Sequence, residues 1–258
     1  MLQSNSIIAP PGGWGLQKPP CGIGIDRSHS LTRELVALWP LNEGSGTIVN
    51  DVAGGRTGRN TNPFVTWQPG NAGVGLRGVS GSSSGCIAFL PLWTSGTTFS
   101  LAVLAKAESS AGVYQALVED NTANGFGLYL YAGKMRWYES SGNYDSQSAV
   151  AGVNKWCLYG FSAQNGAGVF WFNGKSWGTA TVVSHTYTRL LSDPYSETLF
   201  GSSSFVGIWS RALRADEWQN LSDRPFDMFA TGLPLGVSPP GRSLVDGSLA
   251  SGPQLIGK

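Results

Sequence analysis

Apolar and polar positions alternate over short stretches through the middle of this chain, and Gly, Asn, Ser and Asp punctuate the stretches. The period of two predicts strands over residues 36–40, 99–107, 115–119, 127–131, 134–139, 156–162, 168–172 and 205–210. Tyr131-Ala-Gly-Lys134 and Phe172-Asn-Gly-Lys175 read as hairpin turns, the second with an Asn-Gly pair that accepts positive φ. A helical period is found once, over 214–221. There Leu213, Trp218 and Leu221 share a face, and Asp216 and Glu217 sit early, where the helix dipole favours anions. Many short strands at this spacing predict an all-β, antiparallel two-sheet sandwich of jelly-roll type with one short C-terminal helix.

Outside that patterned region the chain changes character. Residues 1–34 hold Pro10-Pro11, Gly12-Gly13 and Pro19-Pro20 without periodicity, which predicts an extended arm. Residues 222–258, with Pro234, Pro239-Pro240 and Pro253, predict a second arm, leaving a single domain over 35–221. Each arm carries apolar residues suited to anchoring on a partner: Trp14, Cys21, Ile23 and Ile25 in one, Leu233, Leu235, Val245 and Leu249 in the other. The alternative is a pair of flexible linkers.

Composition narrows the function classes. Lys and Arg total 17 against 16 Asp and Glu, a net charge of +1, so no nucleic-acid-seeking surface or polycationic membrane patch is expected. With 36 glycines, 10 tryptophans and only 13% charged residues, the chain is an aromatic-rich, charge-poor β-protein. No apolar run reaches the roughly 18 residues needed to span a bilayer. The start lacks a basic segment followed by an apolar one, so no secretory signal is read there. Cys21, Cys86 and Cys157 are widely spaced and form no CxxC pattern, which points to reduced, mostly buried thiols and synthesis in a reducing cytoplasm.

Catalytic signals are missing. Glu119 and Asp120 are adjacent, hence on opposite faces of a strand, and do not make the same-face carboxylate pair of a glycosidase. His29 and His185 are far apart in sequence, and His29 reads as a turn or solvent residue. Gly-Ser-Ser-Ser at 81–84 and 201–204 lacks the flanks of a nucleophile elbow or P-loop and reads as turns. Tyr129, Tyr131, Trp137, Tyr138, Tyr144, Trp171 and Trp177 cluster on or beside adjacent hairpins. Either most of these rings fill the sandwich, or Tyr129, Tyr131, Trp137 and Tyr144 line a glycan groove.

Three segments taken in order resemble the laminin G-like, concanavalin A-like jelly-roll superfamily. They are Leu35-Val-Ala-Leu-Trp-Pro-Leu-Asn-Glu-Gly-Ser-Gly46 with Asn50-Asp-Val-Ala-Gly-Gly55; Thr98-Phe-Ser-Leu-Ala-Val-Leu-Ala-Lys106; and Lys155-Trp156, Val169-Phe-Trp-Phe-Asn-Gly174 and Val206-Gly-Ile-Trp-Ser-Arg-Ala-Leu-Arg214 with Glu217. Asp26-Arg-Ser-His-Ser30 and Arg224-Pro-Phe-Asp-Met-Phe229 further resemble laminin G-like proteins of tailed bacteriophages. That resemblance implies a non-enzymatic virion protein: a capsid-decoration or head-fibre protein, assembled in the host cytoplasm, homo-oligomeric, docked by its arms on the major capsid protein or another virion protein. The alternative it implies is a lectin-like module that attaches to glycans. Calcium-binding relatives carry acidic residues where this chain has Leu76-Arg-Gly-Val-Ser-Gly-Ser-Ser-Ser84 and Ser203-Ser-Phe205, so no cofactor is expected and Asp51 is left as the cap of a turn.

Overall fold

The computed structural model describes residues 15–61, 65–70, 72–78, 87–110, 112–120, 126–139, 142–147, 153–191 and 197–231. In chain order the strands are β1 (Leu35–Trp39), β2 (Ile48–Val49), β3 (Thr57–Asn60), β4 (Thr66–Gly70), β5 (Gly73–Gly78), β6 (Ile87–Thr94), β7 (Phe99–Ala107) and β8 (Gln115–Asp120). Then come β9 (Gly127–Tyr131), β10 (Lys134–Glu139), β11 (Gly142–Asp145), β12 (Trp156–Gln164), β13 (Ala167–Phe172), β14 (Lys175–Thr181), β15 (Thr186–Leu190) and β16 (Gly201–Trp209). One helix, α1 (Ala215–Asp223), follows.

The strands form two antiparallel sheets, the all-β sandwich expected. Sheet one runs β14-β13-β12-β7-β16-β5-β4, and β1 joins β16 beside β5. Sheet two runs β11-β10-β9-β8-β15-β6-β3-β2. Along one side the sheets are tied by the Gln147 amide donating to the Trp177 carbonyl at 2.9 Å. Gly201-Ser-Ser-Ser204 is part of β16 and wholly buried, not a turn. Small side chains suit that stretch, because it pairs with β7 on one side and β5 on the other. The matching run at 81–84 lies outside the described residues.

Between the sheets the core is aromatic. Trp39, Phe99, Trp137, Phe161 and Phe170 are fully enclosed, and Trp137 stacks on Phe161 with centroids 4.1 Å apart and planes 7° from parallel. Sheet one is also covered on its other face. Ile23, Leu31, Leu158, Phe205, Trp209, Trp218, Leu221, Phe226, Met228 and Phe229 make that second apolar layer. Gly160 of β12 permits it, because a Cβ there would strike the Trp218 ring, which lies flat on the strand.

Two of the sequence expectations change here. Residues 15–34 and 222–231 are not free arms: they are the outer cover of sheet one. Ile25 bridges Phe229, the Asp26 amide donates to the Met228 carbonyl at 2.8 Å, and Ala230 donates to Gly24 at 2.9 Å. Ile23 is 2% exposed and Ile25 packs on the same cluster, so both are spent on their own domain. Cys21 is exposed, contrary to the buried thiols expected, whereas Cys157 is buried, and both are free. Trp14, Cys86, Leu233, Leu235, Val245 and Leu249 lie outside the described residues.

Arg211 holds this cover in place. Its guanidinium makes a bidentate pair with Glu217 at 2.7 and 2.8 Å, and also donates to the Arg33 and Ser30 carbonyls. Glu217 in turn accepts from the Arg214 amide at 2.9 Å, the N3-carboxylate half of a capping box. At the opposite end Asp51 accepts from the amides of Leu38, Ala53, Gly54 and Arg56, the turn-capping role expected of it. His29 likewise serves a turn, its Nδ1 accepting from the Leu31 amide at 3.2 Å.

Lys18 is the costly residue of the cover. It is 7% exposed and its Nζ donates to the Leu41 and Val74 carbonyls. Burial drops its pKa from 10.5 to about 7, against the opposing pull of Glu43. An unfolded chain therefore binds this proton more tightly between those values, and stability contributed at Lys18 rises with pH across that window. Relative to Lys18→Met, the wild-type melting temperature should climb from pH 7 toward pH 10.5; parallel curves would refute the buried amine. Arg211→Ala strands a buried Glu217 carboxylate and should cost about 3–5 kcal/mol in chemical denaturation.

Candidate functional site

Strand alternation sorts the clustered aromatic residues onto two faces of sheet two. In β9, Leu128 and Leu130 enter the core, so Tyr129 and Tyr131 project from the other face. In β10, Met135 and Trp137 enter the core, leaving Arg136 and Tyr138 beside them on the outer face. Arg136 is paired with Tyr129 across the strands and with Asp145 of β11 on its far side. Tyr114, just before β8, lies over this row, its centroid 4.5 Å from Tyr131, 5.7 Å from Tyr129 and 6.1 Å from Tyr138.

The expected quartet therefore splits. Tyr131 is on the outer face and half-buried. Tyr129 is on the same face but only 1% exposed, because Tyr114 and Tyr138 stand edge-on against it. Trp137 is 0% exposed in the core, so its ring is not available to a ligand, and Tyr144, its partner across β11, packs on the core too. The outer row consists instead of Tyr114, Tyr131, Arg136 and Tyr138. Tyr138 was visible in the sequence as part of the aromatic cluster, whereas Tyr114 sits in an unpatterned stretch.

Arg136 fixes the row. Its Nε and Nη2 donate to the two Asp145 carboxylate oxygens at 2.6 and 2.9 Å, and Nη1 donates to the Tyr114 hydroxyl at 2.6 Å. The guanidinium carbon lies 4.1 Å from the Tyr131 ring centroid, a cation–π contact. Asp145 and Tyr114 together push the Arg136 pKa further up, although burial opposes this, so the cation is permanent.

The aromatic row continues through Phe126, 5.6 Å from Tyr138, to His185, 5.0 Å from Phe126. His185 bridges two buried carboxylates: Nε2 is 2.5 Å from Glu139 Oε1, and Nδ1 is 3.3 Å from Asp120 Oδ2. Glu139 also accepts from the Trp137 indole at 2.9 Å and the Val183 amide at 3.2 Å. With Nε2 hydrogen-bonded to one carboxylate and Nδ1 within ion-pair distance of the other, the site favours the charged form of the imidazole. Burial works against that charge, yet Asp120 and Glu139 outweigh it and raise the His185 pKa. Next to Asp120, Glu119 turns to the opposite face and pairs with Arg189 at 3.2 Å, so the two acids do separate as strand neighbours should.

No signal in the sequence joined Asp120, Glu139 and His185, since they come from three strand ends distant along the chain. Among the described residues no group of three His, Cys, Asp or Glu side chains is arranged to hold a metal ion.

No protein-family model matches this chain, and no curated protein matches it. Solved structures resemble it in fold. Domain 4 of AbnA, a GH43 extracellular arabinanase from Geobacillus stearothermophilus solved in complex with arabinotriose, aligns with a TM-score of 0.59 at 16% identity, over 73% of this chain and 98% of that one. The binding domain of Paraclostridial Mosquitocidal Protein 1 aligns with a TM-score of 0.58 at 14% identity, over 75% of this chain and 52% of that one. Trypanosoma rangeli sialidase in complex with sialic acid aligns with a TM-score of 0.54 at 14% identity, over 74% of this chain and 33% of that one. At these identities the likeness establishes the β-sandwich fold.

The His185 bridge carries its own pH signature. A folded-state pKa above the ordinary 6.5 means the bridge stabilises fully below that pH and fades as pH rises through the folded value. The melting-temperature gap between wild type and His185→Gln should be widest in acid and shrink with rising pH. A gap independent of pH would show that no cation bridges Asp120 and Glu139.

Proposed function

We propose that this chain is a non-enzymatic carbohydrate-binding module, and that the outer face of sheet two carries its ligand. The observation behind this is the row of Tyr114, Tyr131 and Tyr138, braced by the Arg136–Asp145 pair. Aromatic rings held in a fixed array bury the apolar faces of sugars at little entropic cost, and a braced guanidinium offers a preorganised polar edge. The fold neighbours lend support, since one was solved with arabinotriose and another with sialic acid.

Binding is favoured over hydrolysis because the acids near the row are engaged: Asp145 by Arg136, Glu119 by Arg189, Asp120 and Glu139 by His185. The neighbours support this lectin-like reading and lend none to the virion role. The virion reading also rested on anchoring arms, and in the first of them Ile23 is buried and Ile25 half-buried against their own sheet.

A glycan array probed with the full chain should yield a defined set of binding saccharides. Tyr138→Ala and Arg136→Ala should each weaken binding by about tenfold or more, with melting temperatures near wild type. An array without hits at high protein concentration, or hits that both variants leave unchanged, would overturn the proposal.

A further inference from the structure

Both carboxylates that flank His185 are also tied to the aromatic row. Asp120, the last residue of β8, is bonded twice to Phe126. Its amide donates to the Phe126 carbonyl at 2.8 Å, and its Oδ1 accepts from the Phe126 amide at 3.2 Å. The Phe126 ring in turn touches His185 on one side and Tyr138 on the other, at 5.0 and 5.6 Å between centroids. Glu139 directly follows Tyr138 in β10. The imidazole is thus joined to one end of the row through each of its partners.

The other groups packed around the ring do not titrate near neutrality. Tyr187 of β15 has its ring 6.3 Å away, and burial, with the same two carboxylates, pushes its phenol well above the ordinary range. Arg189, further along β15, pairs with Glu119 and donates to the Asp120 carbonyl at 3.4 Å. Ser95, at the end of β6, meets the His185 backbone: its Oγ accepts from the His185 amide at 3.3 Å, and its amide donates to the His185 carbonyl at 2.9 Å. The group whose ordinary titration falls near neutral pH is the imidazole.

We infer that His185 is a pH-sensitive positioning residue of the aromatic face: its charged form holds Asp120 and Phe126, and through them Tyr138, and loss of its proton releases that end of the row. As control of a ligand face, this rests on the glycan reading; the coupling of imidazole to rings does not. A neutral imidazole donates from one nitrogen and presents a lone pair at the other. Nε2, 2.5 Å from Glu139, is the better placed to keep the proton, so the Nδ1 lone pair faces the Asp120 carboxylate at 3.3 Å. Attraction there becomes repulsion, and two buried acids lose the cation between them. Asp120 turns aside, and the bond from the Phe126 amide to its Oδ1 is given up.

Nuclear magnetic resonance of the full chain, without any saccharide, provides the test. The His185 imidazole and the Phe126, Tyr131 and Tyr138 rings are followed together from roughly pH 5 to 9. The imidazole midpoint should lie above 6.5, and the cross-peak between the Phe126 and Tyr138 rings should be lost at that same midpoint as pH rises. Tyr131, at the other end of the row, should not respond. His185→Gln should make the cross-peak independent of pH. Asp120→Asn keeps an oxygen for the Phe126 amide but removes the charge; it should lower the imidazole midpoint and preserve the cross-peak throughout. A wild-type cross-peak that persists through the imidazole midpoint, or one that fades equally in His185→Gln, would overturn the inference. The glycan array, run at both ends of the pH range, should give weaker signals at the alkaline end, and equal signals would also overturn it. An array without hits at either pH would remove the ligand reading and leave the coupling to be decided by the ring contact.

Discussion

The buried pair between Arg211 and Glu217 is the joint on which the arrangement of sheet one depends. Arg211 follows the end of β16, an interior strand of that sheet, and reaches both the start of α1 and the carbonyls of Ser30 and Arg33. Three separate stretches of chain are thereby fixed by one guanidinium. A planar fork of donors is suited to this, and a lysine would satisfy only part of it. The Arg-Ala-Leu-Arg…Glu spacing that resembles the laminin G-like pattern has, in this molecule, that physical meaning. With the cover locked down, the opposite sheet is, among the described residues, the one with an open face.

That asymmetry explains where the candidate site is found. Sheet one is apolar on both sides and needs two coverings, the core and the layer holding Trp218 and Phe226. Among the described residues sheet two has only the core. On its outer face tyrosines and Arg136 do what a covering element does elsewhere: they shield the strand backbone, with the guanidinium turned onto Asp145 and Tyr114. In the proposed reading the same rings form the recognition surface, with Arg136, braced by Asp145, holding Tyr114 and Tyr131 in position. The His185 bridge ends the row, one imidazole set between two carboxylates at the margin of the core.

The fold was legible in sequence wherever alternation was clean. The bounds read for β7, β9 and β10 coincide with those observed. Of the strands that went unread, β3 with Thr-Gly-Arg-Asn and β11 with Gly-Asn-Tyr-Asp are short and carry few apolar residues, whereas β6, Ile-Ala-Phe-Leu-Pro-Leu-Trp-Thr, is long and apolar but does not alternate. Their state is set by pairing with neighbours and not by their own pattern. For the site, alternation defined the two rows of β9 but not which row was buried. The arrangement of β10 decides that, with Met135 and Trp137 pointing the same way as Leu128 and Leu130. Trp137 misled because a tryptophan in a half-polar strand suits a groove as well as a core. The arms misled for a different reason: proline blocks regular structure, yet it does not prevent a chain from lying flat and burying Ile23 or Phe226.

The bridge between Ile25 and Phe229 also has a mechanical side. The first and last described stretches of chain run side by side there, with Gly15 donating to Asp227 at 2.7 Å a short way off. A pull applied through both ends would load these few contacts first and part them one after another, like a zip. The two sheets would carry none of that force until the zip had opened.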